Sequence, residues 1–150
     1  MEFQPQDPGY EARVRESFAR QRAMATLGAR LARVAPGEVE IELPFREDLT
    51  QQHGFLHAGI VTAVLDSACG YAAFTLMPAD AAVLSIEFKT NLLAPARGEL
   101  LVASGRVVRA GRTVTVCQAD ARMLEGGRAK HVATLVGTMM TVQGREGLAG

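Results

Sequence analysis

From residue 58 to residue 77 the chain is almost wholly apolar, broken by Asp66 near the middle and by Gly59 and Gly70. Twenty residues of helix reach roughly 30 Å, enough to cross a bilayer. A carboxylate at the centre makes a lone lipid-facing helix costly, so no membrane partner is expected. A helix apolar on every side must instead be enclosed by protein. Pro78 ends it.

The rest of the chain supplies the enclosure. Pro36-Gly37 marks a turn, after which Val39, Ile41 and Leu43 alternate with Glu38, Glu40 and Glu42, the pattern of a half-buried antiparallel strand. A preceding strand over 27–34 would complete a hairpin. Pro44 closes this region, and 46–56 reads as a polar loop. Four further strands are expected over 82–93, 99–109, 113–124 and 129–142. Their Gly-containing links at 94–98, 110–112 and 125–128 read as hairpin turns, which makes the second half an antiparallel meander. Ala103, Gly105, Ala119, Ala121, Ala133 and Gly137 are small enough for strands to curve closely over a helix. The expected fold is α+β, a curved antiparallel sheet wrapped around one long central helix. Its open edges invite dimerisation.

Ahead of this lies an extra helix. Asp7-Pro8 reads as its start, and Tyr10, Val14 and Phe18 recur four apart, with fraying near Thr26-Leu27-Gly28. Residues 1–26 are thus a helical extension and 143–150 a frayed tail of one domain spanning 1–150. Two domains would each have too small a core in a 16.0 kDa chain. Sixteen Lys and Arg balance sixteen Asp and Glu, which argues against a nucleic-acid partner. Cys69 and Cys117 match neither a disulfide framework nor a zinc site. They read as free core cysteines of a cytoplasmic protein, and the charged N-terminus has no signal-peptide core.

The chemistry concentrates around the start of the apolar helix. His57, Ala58 and Gly59 stand where backbone N–H groups lack intrahelical acceptors, a place that stabilises an oxyanion. Small residues at 58 and 59 let a substrate approach the backbone. Asp66 is the one charged side chain on the enclosed helix. Burial should raise its pKa and suit it to act as a general base on water. Ala58 and Asp66 are eight residues apart, roughly 12 Å along the axis. One carbonyl cannot easily touch both in one chain, so a site shared between two subunits is expected. His53 and His57 have a spacing open to metal ligands, but no third ligand is near, and no metal is expected.

Gln51, His57-Ala58-Gly59 and Asp66 together resemble the motif of the hotdog-fold acyl-CoA thioesterases, in the branch of the phenylacetate-pathway enzymes and their mammalian relatives. Ser85, the segment Asn91-Leu92-Leu93-Ala94-Pro95-Ala96 and the hairpin from Arg109 to Thr113 extend the resemblance over residues 51–142. The resemblance implies hydrolysis of an acyl-CoA thioester by a homodimer with shared sites that pairs into a homotetramer, with coenzyme A present only as part of the substrate. Asp66 would be the base or the nucleophile, and Ala58 takes the place of a glycine whose N–H holds the oxyanion. His57 would position the thioester. Gln51 would orient water or carbonyl, with Gln52 as rival. Ser85 would stand near the reacting centre, although strict alternation groups it with Glu87, Lys89 and Asn91 on the polar face of its strand. Arg109, Gly111, Arg112 and Thr113 would contact the nucleotide, arginine suiting phosphate through its forked donors. Tyr71, Phe74, Leu76 and Met77 are candidates to line the acyl pocket. The competing functions are a non-catalytic acyl-CoA-binding protein and a hotdog hydratase or dehydratase.

Overall fold

The computed structural model describes residues 2–150. Two short helices, α1 (Tyr10–Arg20) and α2 (Arg22–Leu27), precede a hairpin of β1 (Arg30–Ala35) and β2 (Glu38–Pro44). A single 3-10 turn (Glu47–Leu49) leads to the central helix α3 (Ala58–Phe74). Four strands follow: β3 (Ala82–Leu92), β4 (Leu100–Ala110), β5 (Val114–Glu125) and β6 (Arg128–Val142). All six strands form one antiparallel sheet in the order β1-β2-β4-β5-β6-β3. This is a hotdog fold with extra N-terminal helices.

The sheet closes on α3 because its inward positions are small. Ala103, Ala119, Ala121 and Ala133 are fully buried, and Gly105 and Gly137 share that face. At Gly105 the approach is closest, since a Cβ there would stand 2.4 Å from the Ala68 carbonyl oxygen. Cys69 and Cys117 fill the same core as free thiols. Burial pushes the Cys69 thiol far up and that of Cys117 to about 12, so neither is a thiolate near neutral pH. No helix among the described residues is long and apolar enough to cross a membrane.

Five expectations need correction. The link at 94–98 is no hairpin turn, because β3 pairs with β6 at the far edge and only β4, β5 and β6 form a meander. Three strand spacings of about 4.8 Å are within reach of five linking residues, so link length alone cannot separate the two topologies. The helix expected from Asp7-Pro8 begins at Tyr10, and the Asp7 carboxylate instead accepts from the Gly9 N–H at 2.8 Å. It also breaks at Gln21, where extended backbone separates α1 from α2, so that Val14 and Met24 both reach the core. Finally, Phe74 and Met77 belong to the buried core. With Leu76 they are buried under α1, whose Arg13 stacks 4.3 Å from the Phe74 ring centroid and donates to the carbonyls of Phe74, Met77 and Pro78. A guanidinium there satisfies the carbonyls that end α3, which stops at Phe74 rather than residue 77.

The Gly105 contact leads to a stability test. Gly105→Ala should lower stability by about 1–3 kcal/mol, because the clash is with helix backbone that has no room to retreat. The measurement is the urea midpoint at fixed protein concentration with an unchanged m-value. An unmoved midpoint would mean that α3 shifts freely against β4.

Candidate active site

The loop before α3 is held at three points. Leu56 N–H donates to the Ala96 carbonyl at 2.8 Å, His57 N–H to Leu49 at 3.0 Å and Gln51 N–H to Phe55 at 2.9 Å. Gly54 permits the tight turn with φ +83°, a value strained for a side-chain-bearing residue. The same anchoring draws the 94–98 link across the mouth of the wrap. A cavity of about 520 Å³ lies between them, its wall including Gln51, Gln52, His57, Ala58, Leu92 and Ala96.

His57 caps α3, its Nδ1 accepting from the Gly59 N–H at 2.9 Å. A neutral imidazole in that bond carries its proton on Nε2, which remains a donor. The Ile60 and Val61 N–H groups both reach the His57 carbonyl. Of the first four N–H groups of α3, Ala58's alone lacks an acceptor among the described residues. Among the described residues none but glycine has positive φ, so the Ala58 methyl is accommodated without strain. Gly59 lends its N–H to the cap and is not a free donor. Gln51 and Gln52 both line the cavity; the Gln51 Oε1 is occupied by the His53 N–H at 2.6 Å.

Asp66 stands two turns further along α3, half-buried. Its Oδ1 accepts from the Ser85 hydroxyl at 2.7 Å. Burial raises the Asp66 pKa above the ordinary carboxylate range, and the Ser85 hydrogen bond opposes the rise only in part. Strict alternation turns Ser85 toward the polar face. A β-bulge between Ser85 and Glu87 changes the parity: Ser85 opposes inward Met139, whereas Glu87 opposes outward Thr138. Beyond the bulge Phe88, Thr90 and Leu92 take the helix side, and Thr62 bonds Thr90 at 3.4 Å.

These groups fall into three places in one chain. Gln51, Gln52, His57 and Ala58 line the large cavity, while Asp66 and Ser85 line a smaller hollow further along α3. Arg109, Gly111, Arg112 and Thr113 sit at the exposed β4–β5 turn, where Thr113 accepts from Thr141 at 2.8 Å. That turn is at the end of the sheet where β3 starts, with β6 between them, whereas the cavity at the helix start lies by the end of β3. Gln21 was not foreseen. It lines the hollow beside Asp66 from the break between α1 and α2, and no glycine or proline marks that break.

The model of the thioesterase superfamily matches residues 53–130, just over half of the chain. The chain is 55% identical to a thioesterase family protein of Silicibacter pomeroyi, whose crystal structure superposes with a TM-score of 0.89 over 91% of this chain and 100% of that one. It is 34% identical to a Halobacterium salinarum protein named "putative esterase", over 63% of this chain and 66% of that protein, just under two-thirds of its length. The structure of the E. coli PaaI protein from the phenylacetic acid degradation operon shares the fold, with a TM-score of 0.80 at 17% identity over 90% and 94% of the two chains. The family match begins just ahead of the capped start of α3 and runs through Asp66, Ser85 and the β4–β5 turn, and over that span the chain belongs to the thioesterase superfamily.

Proposed function

We propose that the protein hydrolyses acyl-CoA thioesters in a site shared by two copies of the chain. The observation that carries this reading is Asp66, a half-buried carboxylate held by a serine hydroxyl rather than a cation. Ionising such a group costs stability and a mere binder gains nothing from it, whereas a base for water needs its raised pKa. The thioester oxygen accepts from the Ala58 N–H, at the positive end of α3, and from His57 Nε2. Asp66 takes a proton from water as the water oxygen adds to the carbonyl carbon. Collapse of the oxyanion breaks the C–S bond, and Asp66 returns the proton to the departing thiolate. Gln51 or Gln52 orients the thioester at the cavity mouth. The reading calls on no metal or separate cofactor.

Two copies are invoked because Ala58 and Asp66 are about 12 Å apart along one helix. The free edge of β3 suits antiparallel pairing about a two-fold axis, and it exposes Ile86 and Leu92 at 54% and 58%. Such pairing sets the start of one β3 beside the end of the other. The turn with Arg109 and Arg112 then approaches the partner's cavity, where guanidinium groups suit the phosphates of coenzyme A.

Two substitutions test the chemistry. Asp66→Asn should lower free-thiol release from a panel of aryl- and alkyl-CoA thioesters by about 10²–10⁴-fold. Stability should move the other way. Because burial raises the folded-state pKa, ionising Asp66 destabilises the fold, fully so above that pKa and not at all below the unfolded value of about 4. The variant's Tm at pH 7 should therefore equal or exceed the wild type's, and the gap should narrow toward pH 4. Acyl-CoA binding without thiol release from any wild-type substrate would instead favour the non-catalytic reading, and hydrated acyl-CoA as product would favour a hydratase.

Ala58→Pro removes the N–H at the first helical position, where proline is well tolerated, after a His57 backbone (φ −59°, ψ 137°) that already suits a following proline. Loss of about 10²–10³-fold in kcat is expected in a folded protein. Refolding it together with Asp66→Asn should restore about a quarter of wild-type activity, since half of the dimers are mixed and each has one intact site. No restoration would mean that each site lies within one chain.

A further inference from the structure

Gln21 is the N-cap residue of α2, yet its side chain makes no capping bond. Asparagine, aspartate or serine would serve that position better. The glutamine is engaged elsewhere: with Asp66 and Ser85 it lines the hollow beside the central helix. Its Oε1 accepts at 3.4 Å from the hydroxyl of Ser67, the residue after Asp66. An amide held by its oxygen keeps both N–H groups for other acceptors, and they have none among the described residues. Asp66 is left in the complementary state. The Ser85 hydroxyl occupies its Oδ1 and fixes the carboxylate, while its Oδ2 accepts from no group among the described residues. A donor and an acceptor that each lack a partner thus share one hollow, and a water molecule between them satisfies both. The hollow is open toward the β3 edge, the side from which the partner's cavity approaches in the shared site.

We propose that Gln21 holds the water that Asp66 activates, which makes the N-terminal extension part of the hydrolytic machinery. The proposal deepens the thioester-hydrolase reading above and rests on it. Water placed there donates one proton to Asp66 Oδ2 and accepts from the Gln21 amide with one lone pair. Its second lone pair is left for the carbonyl carbon arriving from the open side. As the C–O bond forms, Asp66 takes the proton, and the amide keeps its hydrogen bond to the same oxygen. A carboxylate at position 21 could not do this, because it offers no donor and opposes the charge of Asp66. The extended backbone at Gln21 (φ −76°, ψ 97°), unprompted by glycine or proline, delivers the amide to the hollow.

The test is kcat and KM by thiol release, with the best substrate among butyryl-, octanoyl- and phenylacetyl-CoA. Gln21→Met keeps the bulk of the side chain and removes the amide. It should lower kcat about tenfold, the worth of one hydrogen bond, and leave KM within about twofold, since the thioester is held elsewhere. Its Tm should equal or exceed the wild type's, because an amide with unmet donors gives way to an apolar group. Gln21→Glu has the same shape and should lose more, about 10²-fold in kcat, by repelling the Asp66 carboxylate. Three outcomes would overturn the water-holding role alone, while hydrolysis still depends on Asp66. A kcat within twofold of wild type in either variant removes the role. A KM that rises as kcat falls points to contact with the acyl group instead. A Tm several degrees lower in Gln21→Met makes the residue a pin between the extension and α3. Absence of thiol release by the wild type, or Asp66→Asn as active as the wild type, would overturn both this role and the reading beneath it.

Discussion

One sheet has to wrap a helix that offers it apolar side chains almost everywhere, and the contact between Gly105 and the Ala68 carbonyl shows how closely it does so. At that separation position 105 admits no side chain toward α3, and Ala103, Ala119, Ala121 and Ala133 around it present only methyls to the core, all fully buried. The wrap is incomplete along one stripe of α3. Gly59, Ala63, Asp66 and Gly70 fall three or four residues apart and are incompletely buried; from Val61 onward only Thr62 joins the last three among the less buried positions of α3. A carboxylate tolerated nowhere else on α3 stands on that stripe, between the edge strand β3 and the N-terminal helices. Fold and site therefore have one origin.

Most of the architecture is readable from the chain because it rests on local periodicity. The alternation of Val39, Ile41 and Leu43 with three glutamates gives β2, and turn residues bound β4, β5 and β6 within a residue or two. Most of the failures are long-range. The 94–98 link has the composition of a hairpin turn, and its true path depends on sheet curvature that no local pattern encodes. Ser85 turned inward through a bulge in Ser85-Ile86-Glu87, a tripeptide without a glycine or any other local mark. Arg13 sits among the charged residues of an amphipathic helix. Its role at the end of α3 depends on a contact more than 60 residues away.

The candidate site divides in the same way. His57, Ala58 and Asp66 were legible because helix starts and buried carboxylates have chemistry that follows from position alone. Gln21 was not, since its place depends on where α1 breaks. The positions of Phe74, Leu76 and Met77 beyond Asp66 suit a pocket lining in sequence, yet they suit a buried core equally well.

The two ends of α3 are finished differently, and this difference gives the helix its direction of use. At the C-terminal end Arg13 places a cation against the exposed carbonyls, with the Asp7 carboxylate 3.1 Å from its Nε. The carbonyls at that end find donors and the Arg13 charge finds a carboxylate within the chain, although Arg13 Nε itself makes no hydrogen bond among the described residues. At the N-terminal end the His57 side chain and carbonyl satisfy three of four N–H groups and stop short of the fourth. An aspartate or serine cap would also have served the fold, but an aspartate would place a negative charge beside the first N–H and oppose an incoming oxyanion. A neutral imidazole accepts through Nδ1, leaves the Ala58 N–H free, and adds a second donor at Nε2. The cap thus stabilises α3 while leaving its positive end open to the cavity.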